Sequence, residues 1–296
     1  MPLTGRGFRS LVNRLTRLTM PEVPVPESIG MIAGNGVYPA MFARAARRAG
    51  VHRLVAVAFT DETDPVLTGL VDEIEWLRVG QLNQMIKAFV SRGVSQAVMV
   101  GQIAPSNLFN LRPDLRTVAL LARLKTKNAE SIFGGIGDEL AKDGVELLPA
   151  TTFLEDCIPG PGHVCGPKLK DAELEVAAWG FGIAKEVSRL DIGQTVVVKD
   201  GTVLAVEAFE GTNEAIRRGG ALGKGKAMVV KVSKPRQDLR FDVPCVGTKT
   251  IDTAREAGVT ALIVEAGRTL LLDQDEVIKL CDRHRITLHA HAGSSS

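Results

Sequence analysis

SIGMIAGNGVYP, residues 28–39, decides the fold of this chain. Its apolar run, Ile29 to Ala33, ends in Gly34-Asn35-Gly36, where missing side chains admit a sharp turn. Pro39 then suits the first turn of a helix, because its missing N–H is one that a helix start leaves unbonded anyway. Strand, glycine turn, helix is the opening of a βαβ unit.

Working outward, the alternation continues. Arg53–Phe59 and Ile74–Leu77 read as buried strands, Leu82–Arg92 as a helix and Gln96–Gly101 as another strand. Helices over Asp114–Lys125 and Glu130–Lys142 lead to a strand at Val145–Leu148. Such alternation implies a parallel sheet with covering helices, so residues 28–157 are expected to form a Rossmann-like N-terminal domain. Residues 158–167, IPGPGHVCGP, hold three prolines and three glycines and are expected to be the linker.

Beyond it, Asp171–Arg189 reads as a long helix. Thr195–Lys199 and Thr202–Ala208 form a hairpin around Asp200-Gly201, a pair suited to a type I′ turn. Helices at Asn213–Arg218, Lys249–Ala257 and Asp275–His284 alternate with strands at Ala227–Val232, Ala261–Glu265 and Ile286–Ala290. The expected fold class is therefore α/β with two domains, the second a mixed α/β unit over residues 168–292.

Composition narrows the function. A hydrophobic fraction of 45% and a charged fraction of 24% are those of a globular protein, and no apolar run is long enough to span a membrane. A net charge of +2, with one Tyr and two Trp, argues against a nucleic-acid partner. Cys157, Cys165, Cys245 and Cys281 show no CxxC pair and no zinc-finger spacing, so reduced thiols in a cytoplasmic protein are expected. Residues 1–27 stand apart as a basic extension: Arg6, Arg9, Arg14 and Arg17 precede any acid, and Phe8, Leu11, Val12, Leu15 and Leu18 fall at helical spacing. That pattern suits either an amphipathic helix on an anionic membrane or a plain tail, and Pro21, Pro24 and Pro26 stiffen the link to the body.

The segment KVSKPRQDLRFDVPCVGTKT, residues 231–250, carries the chemistry best. Pro235 and Pro244 forbid a regular helix through it, and Lys231, Lys234, Arg236 and Arg240 precede the carboxylate Asp242. Cations beside carboxylates fit a phosphate substrate with a hard metal ion, or else a solvated loop. The Gly34-Asn35-Gly36 turn offers backbone N–H groups to an anion, with Asp61 after the second strand as a ribose-binding acid; a structural tight turn is the alternative. Glu207 and Glu210 lie near a strand end where carboxylates can hold Mg²⁺, although Thr212 also reads as the N-cap of the next helix. Glu265-Ala266-Gly267 ends a strand where parallel-sheet sites open. His289 and His291 alternate on the last strand, as a metal pair or an ordinary surface. No GxSxG supports covalent catalysis.

Four stretches together resemble the LpxI-type UDP-2,3-diacylglucosamine pyrophosphatases of lipid A synthesis. They are IAGNGVYP at 32–39, RLDIGQTVVVKDGTVLAVEAFEGTN at 189–213, KPRQDLRFDVPCVGTKTI at 234–251 and VEAGRTLLLD at 264–273. The resemblance implies two α/β domains with the active site between them, a homodimer, and a cytoplasmic enzyme associated peripherally with the inner membrane. It implies hydrolysis of UDP-2,3-diacylglucosamine to UMP and 2,3-diacylglucosamine 1-phosphate, dependent on Mg²⁺ or on Mn²⁺ in its place. Asp242 falls in the family's RxDxP motif as the catalytic aspartate. Asp242 and Glu210 are then the expected metal ligands, and Gly34, Asn35, Gly36, Thr212, Lys234, Gln237, Arg240 and Glu265 the expected substrate contacts. The chain departs from the family pattern at Asn213, at Gln102-Ile103-Ala104-Pro105 and at Ala129-Glu130. The rival readings are an NAD(P)-dependent oxidoreductase built on the Gly34 turn and Asp61, and a nucleotide-sugar or lipid-binding protein without turnover.

Overall fold

The computed structural model describes residues 25–103, 113–126, 128–235 and 237–293. Its first sheet is wholly parallel: β1 (Ser28–Ala33), β2 (Arg53–Phe59), β3 (Glu73–Leu77), β4 (Gln96–Val100) and β5 (Glu146–Leu147), in the order β3-β2-β1-β4-β5. Both faces are covered, and the side-chain period of two divides each strand between two cores. Ile29, Met31, Leu54 and Ala56 pack with Phe42 of α1 (Tyr38–Ala49), while Ile32, Val55 and Val57 pack with Met85 and Phe89 of α2 (Leu82–Val90). Helices α3 (Leu115–Arg123) and α4 (Ala129–Lys142) complete this domain. The strand order reverses between β1 and β4, the place where open α/β sheets bind ligands.

The second sheet is mixed, in the order β6-β13-β11-β9-β7-β8. Its strands are β6 (Gly162–Cys165), β7 (Thr195–Lys199), β8 (Thr202–Val206), β9 (Ala227–Lys231), β11 (Val259–Glu265) and β13 (Thr287–His291). β9, β11 and β13 run parallel, with antiparallel partners at either edge. Helix α5 (Asp171–Arg189) covers one face with Ala177, Phe181 and Ala184. Helices α6 (Thr212–Gly223), α7 (Thr248–Glu256) and α8 (Gln274–His284) cover the other. Asp200 and Gly201 both have positive φ, as the expected type I′ turn requires.

Three features differ from expectation. Residues 158–167 are more than a linker: β6 lies within them and pairs antiparallel with β13, Thr287 donates to the Pro167 carbonyl at 2.6 Å, and Asp282 accepts from the Gly166 N–H. Helix α6 runs on through Gly219-Gly220, where a side chain would not fit: a methyl at Gly219 would stand 2.5 Å from Val197 and one at Gly220 2.2 Å from the Ala257 carbonyl. Those glycines let α6 lie close against the sheet and α7. Thr212 is not the cap, which is Gly211; the threonine hydroxyl turns to Glu207 instead.

The described residues of 231–250 contain no helix before α7, as the prolines dictate. Their two-residue strand β10 (Cys245–Val246) pairs with β12 (Leu270–Leu271). The segment joins the two domains. Leu239 accepts from the Ala150 N–H at 2.8 Å, Phe241 packs on Phe133 of α4, and Val243 and Cys245 pack into the core beside Phe42. All four cysteines are free thiols, and no helix among the described residues is long and apolar enough to cross a membrane. The amphipathic pattern read at Phe8 to Leu18 lies outside the described residues.

Candidate active site

The carboxyl edges of the two sheets are tied together by one strand of chain. Leaving β9 at Lys231, it meets the second sheet's Gln194 through the Val232 N–H, then crosses to Ala150 just past β5. Tyr38, at the start of α1, donates to the Ala150 carbonyl at 2.7 Å and fixes that landing point. Both edges are where parallel strands expose their ligand-binding loops. Asp242 stands at the turn, its N–H bonded to the Asp238 carbonyl at 2.9 Å. Among the described residues its carboxylate takes no hydrogen bond or salt bridge, which leaves its acceptors open to a ligand.

Lys234 faces it. The Lys234 ammonium pairs with Asp191, and its backbone N–H donates to the Gln237 side chain at 2.8 Å. Burial pulls the Lys234 pKa down, but the Asp191 hydrogen bond and the fields of Asp191, Asp242 and Glu130 outweigh it, and the net shift is upward. The cation is thus held by Asp191 and feels the fields of Asp242 and, from the first domain, Glu130. Gln237 keeps a buried side-chain N–H₂ without a partner among the described residues, a donor free for a ligand.

Lys231 is positioned differently. Its ammonium donates to Thr212 Oγ1 at 3.1 Å, and Thr212 donates to buried Glu207 at 2.8 Å. Glu207 is pinned in turn: its N–H reaches the Thr195 carbonyl, and a methyl at Gly193 would stand 2.1 Å from its own carbonyl oxygen. The DIGQ and EAFEGT stretches are therefore two loops packed backbone to backbone, which explains why Gly193 has no side chain. Lys231 and Asp242 both act on the Cys245 thiol, whose pKa burial drives to about 12, so this thiol is inert.

The remaining expected contacts fall into two groups. Gly34 and Asn35 pair with the loop after β4: Gln102 accepts from Asn35 at 2.6 Å, and a methyl at Gly34 would stand 2.5 Å from the Gln102 carbonyl. Gly34 serves this loop pairing, while exposed Asn35 and Gly36 line a cleft of about 570 Å³ with Arg44, Asp61, Asp64 and Asp273. Arg240 forms a two-pronged pair with Asp238 and lies over Gly137 of α4, so its partly exposed guanidinium is engaged by the protein's own carboxylate. Glu265 is engaged as well, accepting from Lys185, from the Ser233 N–H at 2.7 Å and from the Ser233 hydroxyl at 2.8 Å. It anchors the start of the crossing segment. Arg236 lies outside the described residues.

A divalent ion can be tested against these donors. Among the described residues no group of three or more His, Cys, Asp or Glu is placed to hold one. Glu210 fits poorly: Arg218 takes one carboxylate oxygen and the Ala208 N–H the other. Its own backbone hydrogen bond and Arg218 hold its pKa below the usual carboxylate range. Asp242 fits well, because Mg²⁺ is commonly held by one or two carboxylates together with substrate phosphates. Sequence reasoning did not single out Asp191 as a partner of Lys234, and it assigned no contact to Glu130 or Asp238, although both stand in stretches it quoted.

Comparison with known proteins places these residues in context. Residues 28–157 match the LpxI N-terminal domain and residues 160–289 the LpxI C-terminal domain. The UDP-2,3-diacylglucosamine pyrophosphatase LpxI of Caulobacter vibrioides is 30% identical over 275 residues, covering 86% of this chain and 94% of that one. Among solved structures, the biotin carboxylase domain of Hydrogenobacter thermophilus 2-oxoglutarate carboxylase is 14% identical and covers 59% of this chain and 35% of its own, with a TM-score of 0.25. A likeness that low carries no argument.

Proposed function

We propose, since this chain belongs to the LpxI family, that it hydrolyses the diphosphate of UDP-2,3-diacylglucosamine to UMP and 2,3-diacylglucosamine 1-phosphate. The observation that carries the reading is the crossing segment: it holds Asp242, its carboxylate open, beside Lys234 where the two sheets' carboxyl edges meet. Hydrolysis of a phosphoric anhydride needs an aligned water and charge neutralisation on two phosphates, and needs no covalent nucleophile.

Asp242 orients the attacking water or accepts its proton. The water oxygen bonds to the uridine-side phosphorus, the bond from that phosphorus to the bridging oxygen breaks, and the electron pair leaves on the sugar 1-phosphate. Lys231 and Lys234, held by Thr212 and Asp191, present fixed cations to the diphosphate. Asp242 is the residue that would hold Mg²⁺, which supplies further neutralisation of the phosphate charge when bound. Asn35 and Gly36 line the cleft beside this edge and are the substrate contacts we assign to the first domain. A two-chain lipid substrate and the basic residues of 1–27 support peripheral association with the inner membrane, and we extend the family's homodimer to this chain.

The test is direct. Purified full-length protein, incubated with UDP-2,3-diacylglucosamine and Mg²⁺, should release UMP, and EDTA should stop the release. Binding of the substrate with no UMP would favour a lipid-binding protein. Saturable quenching of NADH fluorescence without UMP release would favour the oxidoreductase.

A further inference from the structure

Three imidazoles gather on the second sheet, where β13 meets edge strand β6. On β13, Leu288 and Ala290 point into the core under α6, α7 and α8, so His289 and His291 point to the α5 side. The His291 ring stacks on Phe181 of α5 at 4.4 Å between centroids, which confirms that side. Edge strand β6 pairs with β13 through an irregularity: Leu288 faces Cys165, but His289 faces His163, so Val164 is the extra residue of a bulge. The bulge puts His163 directly across from His289. Side chains opposed in this way have Cβ atoms about 4.5–5.5 Å apart.

None of the three rings forms a hydrogen bond among the described residues, and the Nδ1 of His291 is buried without a partner. Burial and the nearby His291 and His163 push the His289 pKa below its ordinary value, as expected of rings crowded together. Glu265, in register with His291, is spent on Lys185 and Ser233 and does not compete for the rings. The ring nitrogens of His163 and His289 are thus open to a ligand from solvent.

We propose that His163 and His289 form a binding site for a divalent transition-metal ion of the kind imidazole favours, Ni²⁺, Cu²⁺ or Zn²⁺. Two ring nitrogens about 2.0–2.1 Å from one ion fit the reach of a directly opposed pair. No set of three such ligands is assembled among the described residues, so the pair chelates the ion and water fills its other positions. Nothing in the proposed hydrolysis uses this edge, and the two readings stand or fall separately.

Calorimetric titration of the untagged full chain with Ni²⁺ tests it. The expected result is saturable binding of one ion per chain. His163→Ala and His289→Ala should each weaken it by about tenfold or more, the lower end of the roughly 10–100-fold that loss of even an outer-sphere partner costs. His52→Ala, an exposed histidine in the first domain, should leave it unchanged. Thermal unfolding in EDTA checks that the variants are folded. His163 is exposed, so His163→Ala decides the matter even where His289→Ala is destabilised. Absence of saturable binding by the unmodified chain, or wild-type affinity in folded His163→Ala, would overturn the proposal.

Discussion

Asp242 and Gly34 show how differently two motif residues earn their place. The Asp242 carboxylate has no partner among the described residues, so little folding free energy depends on it, and Asp242→Ala should leave the fold intact. Loss of a group that acts mainly in the transition state should lower the rate of UMP release by about 10³ or more, or ~4 kcal/mol, with substrate affinity retained. Single-turnover kinetics beside equilibrium binding would measure both; a variant keeping a tenth of the rate would move the catalytic role elsewhere. Gly34 is the opposite case. A methyl there would meet the Gln102 carbonyl at 2.5 Å, and backbone cannot step aside as a side-chain end can. Gly34→Ala should therefore cost about 1–3 kcal/mol in urea unfolding. Unchanged stability with weakened substrate binding would return Gly34 to the role of ligand contact.

At the scale of elements, α3 and α4 are held by one nearly buried carboxylate. Glu139 of α4 receives Lys142, Arg116 and Arg123, and these hydrogen bonds lower its pKa from 4.5 to about 2. The folded value lies below the unfolded one, so the stability it contributes is present above pH 4.5 and is lost as pH falls toward about 2. Unfolding midpoints across that window should decline with acid, and Glu139→Gln should flatten the decline while lowering stability at pH 7. The sequence made some elements plain and hid others. Asp171–Arg189 was legible to the residue, since nineteen residues without proline give periodicity room to speak. β10 and β12 have two residues each and no period to detect, and β6 sits among prolines and glycines that signal a loop. Of the candidate site, the sequence showed the local motif that holds Asp242. It did not show contacts that join three elements, as in Lys231, Thr212 and Glu207, or the pairing of Glu210 with Arg218 of a neighbouring helix.

For the whole molecule the decisive contact is the docking of a second-domain segment on the first. Phe241 packs on Phe133 at 5.8 Å between centroids, Leu239 accepts from Ala150, and Arg240 lies over Gly137, all within four residues of Asp242. The described residues between 232 and 244 form no strand or helix, so their position depends on these contacts. Phe241 is only half buried, and Phe241→Ala should cost less than the roughly 3–5 kcal/mol of a fully buried phenylalanine. Each domain keeps its own core, so circular dichroism should be unchanged while the segment loosens. Hydrogen exchange should then accelerate at the amides of Ala150 and Asp242, which are protected by the docked geometry. A carboxylate held less firmly spends less time aligned with the diphosphate, and a misplacement of about 1 Å can cost roughly a hundredfold in rate. UMP release should fall at least tenfold with the exchange of second-sheet amides unaltered. Faster exchange at Ala150 and Asp242 with an unchanged rate would mean that substrate itself, rather than the contact between domains, sets Asp242 in place.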